Sequence, residues 1–298
     1  MSNFQKKIKS RIKHGGEDLL GFIKNKHLYS SIINQKEIRV VGLKRTGNHA
    51  ILKWVKSQET GVVEHLNNVK PNENPFRDKY EHLRDRYPEH QGVIDRLYQQ
   101  SKGKLIKKDC FIYSYEDWKL SKIATINFEI KHDLYVGKSL ERYDVLILRD
   151  PFNLIASRLK YDRRLMKITK TPIVDRWVEY AREFLGETQY LKHHKICINY
   201  NRWFQDVEYR QHLADRLKLK FTDARIDRMS YHGGGSSFEG RKLDGNATQL
   251  DVINRWQHFK DDPIYQQLVD DDRLWHYCER IFDRIPNIDV LRRSSHQI

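Results

Sequence analysis

Long hydrophobic runs are missing from this chain of 298 residues. Nothing in it approaches the ~18 to 20 consecutive apolar residues that would cross a bilayer. The opening MSNFQKKIKSRIKHGG also lacks the apolar stretch of a signal peptide, so a soluble cytoplasmic protein is expected. Cysteine is scarce. Cys110, Cys197 and Cys278 are odd in number and far apart, which gives neither a disulfide framework nor a metal-site spacing. His193, His194 and the other histidines have no cysteine or carboxylate at ligand spacing, so no metal is expected. Internal repeats and low-complexity tracts are absent. Acidic residues are outnumbered: 55 Lys and Arg against 40 Asp and Glu leave a net charge of +15, a surface field that attracts polyanions without naming one.

What is present suffices for a folded core, since 39% of the residues are hydrophobic. Residues 1–36 are basic, contain Gly15 and Gly16, and show a helical pattern only around Leu19, Leu20, Phe22 and Ile23, which suggests a loosely attached arm. From 37 to 298 short β-branched runs alternate with longer helical patterns. The runs are IRVVG at 38–42, GVVEHL at 61–66, CFIYSY at 110–115, DVLILR at 144–149 and KICINY at 195–200. This alternation predicts a single α/β domain with a central parallel sheet of about five strands flanked by helices. Val174, Trp177, Val178, Ala181, Phe184 and Leu185 mark one apolar helix face. The polar segment 67–109 is a long excursion, expected at the rim as a lid or acceptor-site wall.

Two turns carry the chemistry. In IRVVGLKRTGNHAILKWV a strand runs through a basic glycine turn into a helix that starts at Asn48. A helix start offers N–H groups to an anion, Gly42 and Gly47 allow tight geometry, and Lys44 and Arg45 add charge. The Gly42-x4-Gly47 spacing is that of a Walker A loop, yet Asn48 and His49 replace the Lys and Ser/Thr that would hold phosphates and Mg²⁺, which disfavours an ordinary ATPase or GTPase. YDVLILRDPFNLIASRLK repeats the pattern: a strand ends at Arg149, Pro151 forces the turn, and Ser157 falls in the next helix. Eight residues apart, Arg149 and Ser157 are placed to converge on one phosphate.

These segments resemble the sulfotransferases that use 3′-phosphoadenosine 5′-phosphosulfate (PAPS). Arg45-Thr46-Gly47-Asn48-His49 is similar to their 5′-phosphosulfate loop, and the Arg149 to Ser157 spacing matches their 3′-phosphate motif. KICINYNRWF is similar to the strand ending in a tyrosine near the adenine, which implies Tyr200. Gly235-Ser236-Ser237-Phe238 resembles the segment that contacts and stacks on the base, which implies Ser236 and Phe238. Arg241-Lys242 with Gly245, followed by Trp256 and Phe259, loosely resembles the Arg-Lys-Gly loop that closes over the 3′-phosphate. The resemblance spans residues 38–260. Asn48 and His49 depart from it where hydroxyl residues are common. Ala50 stands where the cytosolic branch has an adenine-side tryptophan, and Leu243 is the third residue of the Arg-Lys-Gly loop.

The resemblance implies a divergent PAPS-dependent sulfotransferase that leaves adenosine 3′,5′-bisphosphate and needs no metal. Its acceptor would be a hydroxyl or amine on a glycan or small molecule, and an acidic acceptor would suit the basic surface. Arg45 takes the position of the family's catalytic cation. The general base is expected from Glu116 first, beside Asp117, then Glu64, then His65. Segments 67–109 and 261 onward are expected to shape the acceptor pocket. A divergent P-loop nucleotide kinase, a basic nucleic-acid-binding protein and an inactive nucleotide-holding member are the competing readings. No nucleic-acid reading motif accompanies the charge.

Overall fold

The strands interleave with helices as the apolar runs require. The computed structural model describes residues 14–16, 18, 20, 23, 31–162, 173–229 and 235–292. Leu19 and Phe22 of the N-terminal pattern and Gly233-Gly234 lie outside them. The order begins β1 (Ile32–Gly42), α1 (Asn48–Gln58), β2 (Val63–Leu66), α2 (Pro75–Arg86), α3 (Gln91–Ser101) and β3 (Lys108–Glu116). It continues with α4 (Ile126–Val136), β4 (Lys138–Leu148), α5 (Pro151–Tyr161), α6 (Ile173–Phe184), β5 (Ile196–Asn199), α7 (Tyr200–Gln205) and α8 (Val207–Arg216). A 3₁₀ turn at Arg255–Phe259 precedes α9 (Pro263–Val269) and α10 (Asp272–Ile281).

The five strands form one parallel sheet in the order β2-β3-β1-β4-β5, flanked by helices. Leu146, Ile147 and Leu148 of β4 are fully buried, and Ile147 is paired with Ile198 of β5, itself fully buried. Near-continuous apolar strands of this kind belong to sheets covered on both faces. The chain nevertheless divides into two compact units by its contacts: residues 1–40, 60–115 and 121–143 in one, and 41–59, 116–120 and 144–298 in the other.

The first unit departs from expectation at its edges. β1 starts at Ile32, inside the segment read as an arm, because Ile33 and Asn34 are buried and the Asn34 amide donates to the Val136 carbonyl at 3.0 Å. Within that arm Asp18 is buried too, paired with Arg77 at 2.5 Å, so this residue is anchored rather than loose. Segment 67–109 contains two helices. Asn74 caps α2 by accepting from the amides of Phe76 and Arg77, and Pro75 sits in the first turn, where its missing N–H costs nothing. Tyr80 of α2 meets Tyr98 of α3 with ring centroids 5.0 Å apart.

A buried polar cluster also lies in this unit. The Glu37 carboxylate of β1 accepts from the Tyr113 hydroxyl of β3 at 2.9 Å, from His132 Nε2 of α4 at 2.8 Å, and from the Ser139 hydroxyl. Burial alone would raise the Glu37 pKa, but the charge and hydrogen bond of His132 and the charge of Arg142 hold it down at about 2. The same pairing overcomes burial at His132 and lifts it to about 9.

In the second unit, α5, α6, α9 and α10 pack apolar side chains together. Phe152 meets Trp275 with centroids 4.4 Å apart, and Trp177 meets Phe282 at 6.4 Å.

Candidate active site

In a parallel sheet every strand points its C-terminal end the same way, so the residues that follow the strands gather at one edge. The turn after β1, Glu116 at the end of β3, Arg149 after β4 and Tyr200 after β5 line one cavity of the second unit, together with Gly235, Ser236 and Ser237.

The turn after β1 is braced from within. Thr46 is fully buried, and its hydroxyl lies 2.6 Å from the Leu43 carbonyl and 2.7 Å from Asn48 Oδ1, with its single proton shared between these acceptors. The Asn48 amide donates to Leu43 O at 3.1 Å and to Glu116 Oε1 at 3.0 Å. Thr46 and Asn48 thus spend their side chains on shaping the loop and on orienting Glu116. Gly42 is required here, because a Cβ on it would fall 2.3 Å from Asn48 Oδ1. Gly47 is left-handed at φ 87°, and a Cβ there would meet the Tyr200 ring at 2.0 Å. Even Arg45 is left-handed, at φ 71°. No side chain caps α1, and the Gly47 carbonyl accepts from the Ala50 amide at 2.9 Å and from the Ile51 amide at 3.1 Å.

The Arg45 guanidinium reaches across the cavity. Its Nε donates to the Ser237 hydroxyl at 2.7 Å, and its Cζ stands 4.6 Å from the centre of the Tyr161 ring. Burial lowers its pKa, and the nearby charge of Arg255 lowers it further. Lys44 behaves differently. Its side chain is exposed and outside the cavity lining, while its amide donates to Asp117 Oδ1 at 3.0 Å and its carbonyl accepts from Arg158. Arg158 is itself ion-paired with Asp117.

The turn after β4 meets the turn after β1. Arg149 Nη1 donates to the Arg45 carbonyl at 3.3 Å and to the Ser157 hydroxyl at 3.1 Å, and its Nη2 donates to the Val252 carbonyl. Arg149 Nε is buried with no acceptor among the described residues. Burial, and then the charge of Arg255, bring the Arg149 pKa down to about 10. The Arg149 guanidinium lies 5.2 Å from the Tyr200 ring centre. Asp150 caps α5 by accepting from the Asn153 amide at 2.8 Å and also accepts from the Asn201 side chain, while its charge and that of Arg149 favour each other's ionised form.

The remaining sequence candidates separate. His49 and Ser236 line the cavity. Phe238 does not line it, but stacks near His258 at 5.0 Å and under the guanidinium of Arg255 at 5.2 Å. Arg241 and Lys242 are exposed and outside the lining, and Arg241 pairs with Asp244 at 2.7 Å. Glu64 and His65 of the first unit do not line it either. The Glu64 carboxylate accepts from Gln100 at 3.0 Å and faces Lys108 at 3.4 Å, which accounts for it as a structural ion pair. No described residue beyond Arg255 lines the cavity, so the described part of segment 261 onward forms none of its wall.

Sequence reasoning missed Arg255, Ser237 and an apolar wall formed by Trp203, Phe204, Ile226 and Met229. Trp203 stacks with Tyr200 at 5.9 Å, and both line the cavity with Ala50. Its place three residues after Tyr200, one helical turn on, was the available signal.

The chain matches no protein-family model and no curated protein. Among solved structures it is similar to a mouse sulfotransferase complexed with PAP, at 14% identity and a TM-score of 0.41, covering 90% of each chain. It is also similar to the sulfotransferase domain of the Synechococcus PCC 7002 olefin synthase, at 13% identity and a TM-score of 0.44, over 86% of this chain and 98% of that one. A retinol dehydratase in complex with retinol and PAP is similar at 13% identity and a TM-score of 0.44, over 89% and 88% of the two chains.

Proposed function

We propose that this chain binds PAPS at the cavity after β1 and β4 and transfers its sulfuryl group to a hydroxyl or amine of an acceptor. The observation that carries the reading is the meeting of two cationic turns at one cavity, Arg45 on one and Arg149 with Ser157 on the other, joined where Arg149 donates to the Arg45 carbonyl. The residues fit such a ligand. Buried guanidiniums, with Arg149 Nε lacking an acceptor among the described residues, favour an anion in the cavity.

When bound, PAPS supplies the sulfuryl group and departs as adenosine 3′,5′-bisphosphate. The Arg45 guanidinium, always protonated, neutralises charge on the 5′-phosphate side; Arg149 holds the 3′-phosphate; Tyr200 and Trp203 offer ring surface to the base. Glu116, oriented by the Asn48 amide, accepts the proton that the acceptor's hydroxyl or amine must lose. Positioning and electrostatics supply most of the catalysis in transfers of this kind.

Titration with adenosine 3′,5′-bisphosphate in excess EDTA is expected to raise the melting temperature of the wild type and leave Arg149→Ala nearly unmoved. Equal shifts in the two proteins would remove Arg149 from the site, and a requirement for Mg²⁺ would favour a nucleotide kinase.

A further inference from the structure

A third guanidinium belongs to this cavity and no sequence motif announced it. Arg255 opens the 3₁₀ turn, is only 6% exposed, and lines the cavity with Arg45 and Arg149. Its Nη1 donates to the Ser157 hydroxyl at 3.3 Å, the same oxygen that accepts from Arg149 Nη1 at 3.1 Å. Two buried guanidiniums therefore converge on one hydroxyl, and like charges brought so close out of water favour an anion between them. The carboxylate recorded beside Arg255 is Glu239, at 3.5 Å with its side chain 28% exposed. The fold holds the pair together deliberately: the Asn153 side chain of α5 accepts from the Trp256 amide at 3.2 Å and donates to the Ile253 carbonyl at 2.9 Å, seating the turn on the start of the helix that carries Ser157.

Resting on the PAPS reading above, we infer that Arg255, and not the Arg241-Lys242 pair, is the third cation at the nucleotide's 3′-phosphate, with Arg149 and Ser157. Arg241 is turned to Asp244 and 41% exposed, whereas Arg255 Nη2 reaches inward to the Ser236 hydroxyl at 2.9 Å. The phosphate bridges the two guanidiniums and adds to the charge that the partly exposed Glu239 supplies.

Calorimetric affinities for adenosine 3′,5′-bisphosphate and for adenosine 5′-phosphate test this, because the second ligand lacks only the phosphate at issue. Arg255→Ala is expected to lose about 10- to 100-fold in affinity for the bisphosphate, with little change for the monophosphate, so that the preference collapses. Arg255→Lys should recover part of it. The double variant Arg241→Ala, Lys242→Ala should keep the wild-type preference. An undiminished preference in Arg255→Ala, or an equal loss for both nucleotides, overturns the inference, as does collapse in the double variant instead. Should the alanine variant fail to fold, Arg255→Gln, which retains a donor toward Ser236, carries the same comparison. A wild type with no preference for the bisphosphate would sink the proposed function itself. A wild-type preference that survives in Arg255→Ala sinks this inference alone.

Discussion

At the scale of single residues the glycine at position 47 does two things, and they separate experimentally. Its φ of 87° costs any L-residue roughly 1 to 2 kcal/mol. Its missing side chain also admits the Tyr200 ring, which a Cβ would meet at 2.0 Å. Gly186 has a similar φ of 79° with open space around it, so Gly186→Ala measures strain alone. Gly47→Ala should lower the unfolding free energy by clearly more than Gly186→Ala and abolish the bisphosphate-induced melting shift. Equal destabilisation would show that the Tyr200 ring yields without cost. Glu116→Gln is the companion variant. It keeps the shape beside Asn48 but cannot take a proton, so labelled-sulfate transfer should fall by about 10² to 10⁴ in kcat with bisphosphate affinity unchanged. Unchanged turnover would remove Glu116 as the base. The sequence made the glycines and the cations of the two turns readable because spacing alone implied them. It could not show that Thr46 and Asn48 turn inward to brace the loop, since the motif is the same string whether a side chain faces the ligand or its own backbone. Arg255 was illegible for a related reason: it follows no strand, and what makes it notable is a neighbour 98 residues away at Ser157.

At the scale of elements, the strand cores were legible and their ends were not. DVLILR marks the buried half of β4, yet the strand runs back to Lys138, where alternating exposure replaces the apolar run. Segment 67–109 read only as a long excursion because its polar residues hide two helices whose buried positions are few; the Asn74-Pro75 cap was the readable sign. The unit holding these helices also predicts its own pH response, through Glu37 of β1 and His132 of α4. His132 titrates at about 9 in the folded chain against an ordinary 6.5, so its contribution to stability is complete below about 6.5 and disappears as pH rises through 9. Glu37, held at about 2 against an ordinary 4.5, contributes above about 4.5 and loses that contribution as pH falls toward 2. The pair is therefore worth most between about pH 4.5 and 6.5. Melting temperatures measured from pH 6.5 to 9.5 should fall more steeply for the wild type than for the double variant Glu37→Gln, His132→Gln. Parallel slopes would show that the pair does not link folding to protons in that range.

At the scale of the whole molecule, the net charge of +15 and the buried arginines make opposite demands on an experiment with salt. Exposed cations attract any polyanion through a field that is screened over about 8 Å at physiological ionic strength. A ligand held on surface charge releases counterions in proportion to its contacts, and for 6 to 10 phosphate contacts the affinity falls about 10³ to 10⁵ between 50 and 200 mM salt. Arg149 and Arg255 are nearly excluded from solvent, at 1% and 6% exposure, so an anion between them is screened far less. The affinity for adenosine 3′,5′-bisphosphate should therefore weaken by less than about tenfold over that range, while any binding to random duplex DNA vanishes. Arg149→Ala should remove the salt-tolerant binding of the bisphosphate and leave the salt-sensitive DNA binding in place, because the first depends on one buried guanidinium and the second on many exposed ones. A bisphosphate affinity that collapsed with salt as steeply as DNA binding would mean that the nucleotide is held by the surface field, and the cavity after β1 and β4 would lose its claim to the ligand.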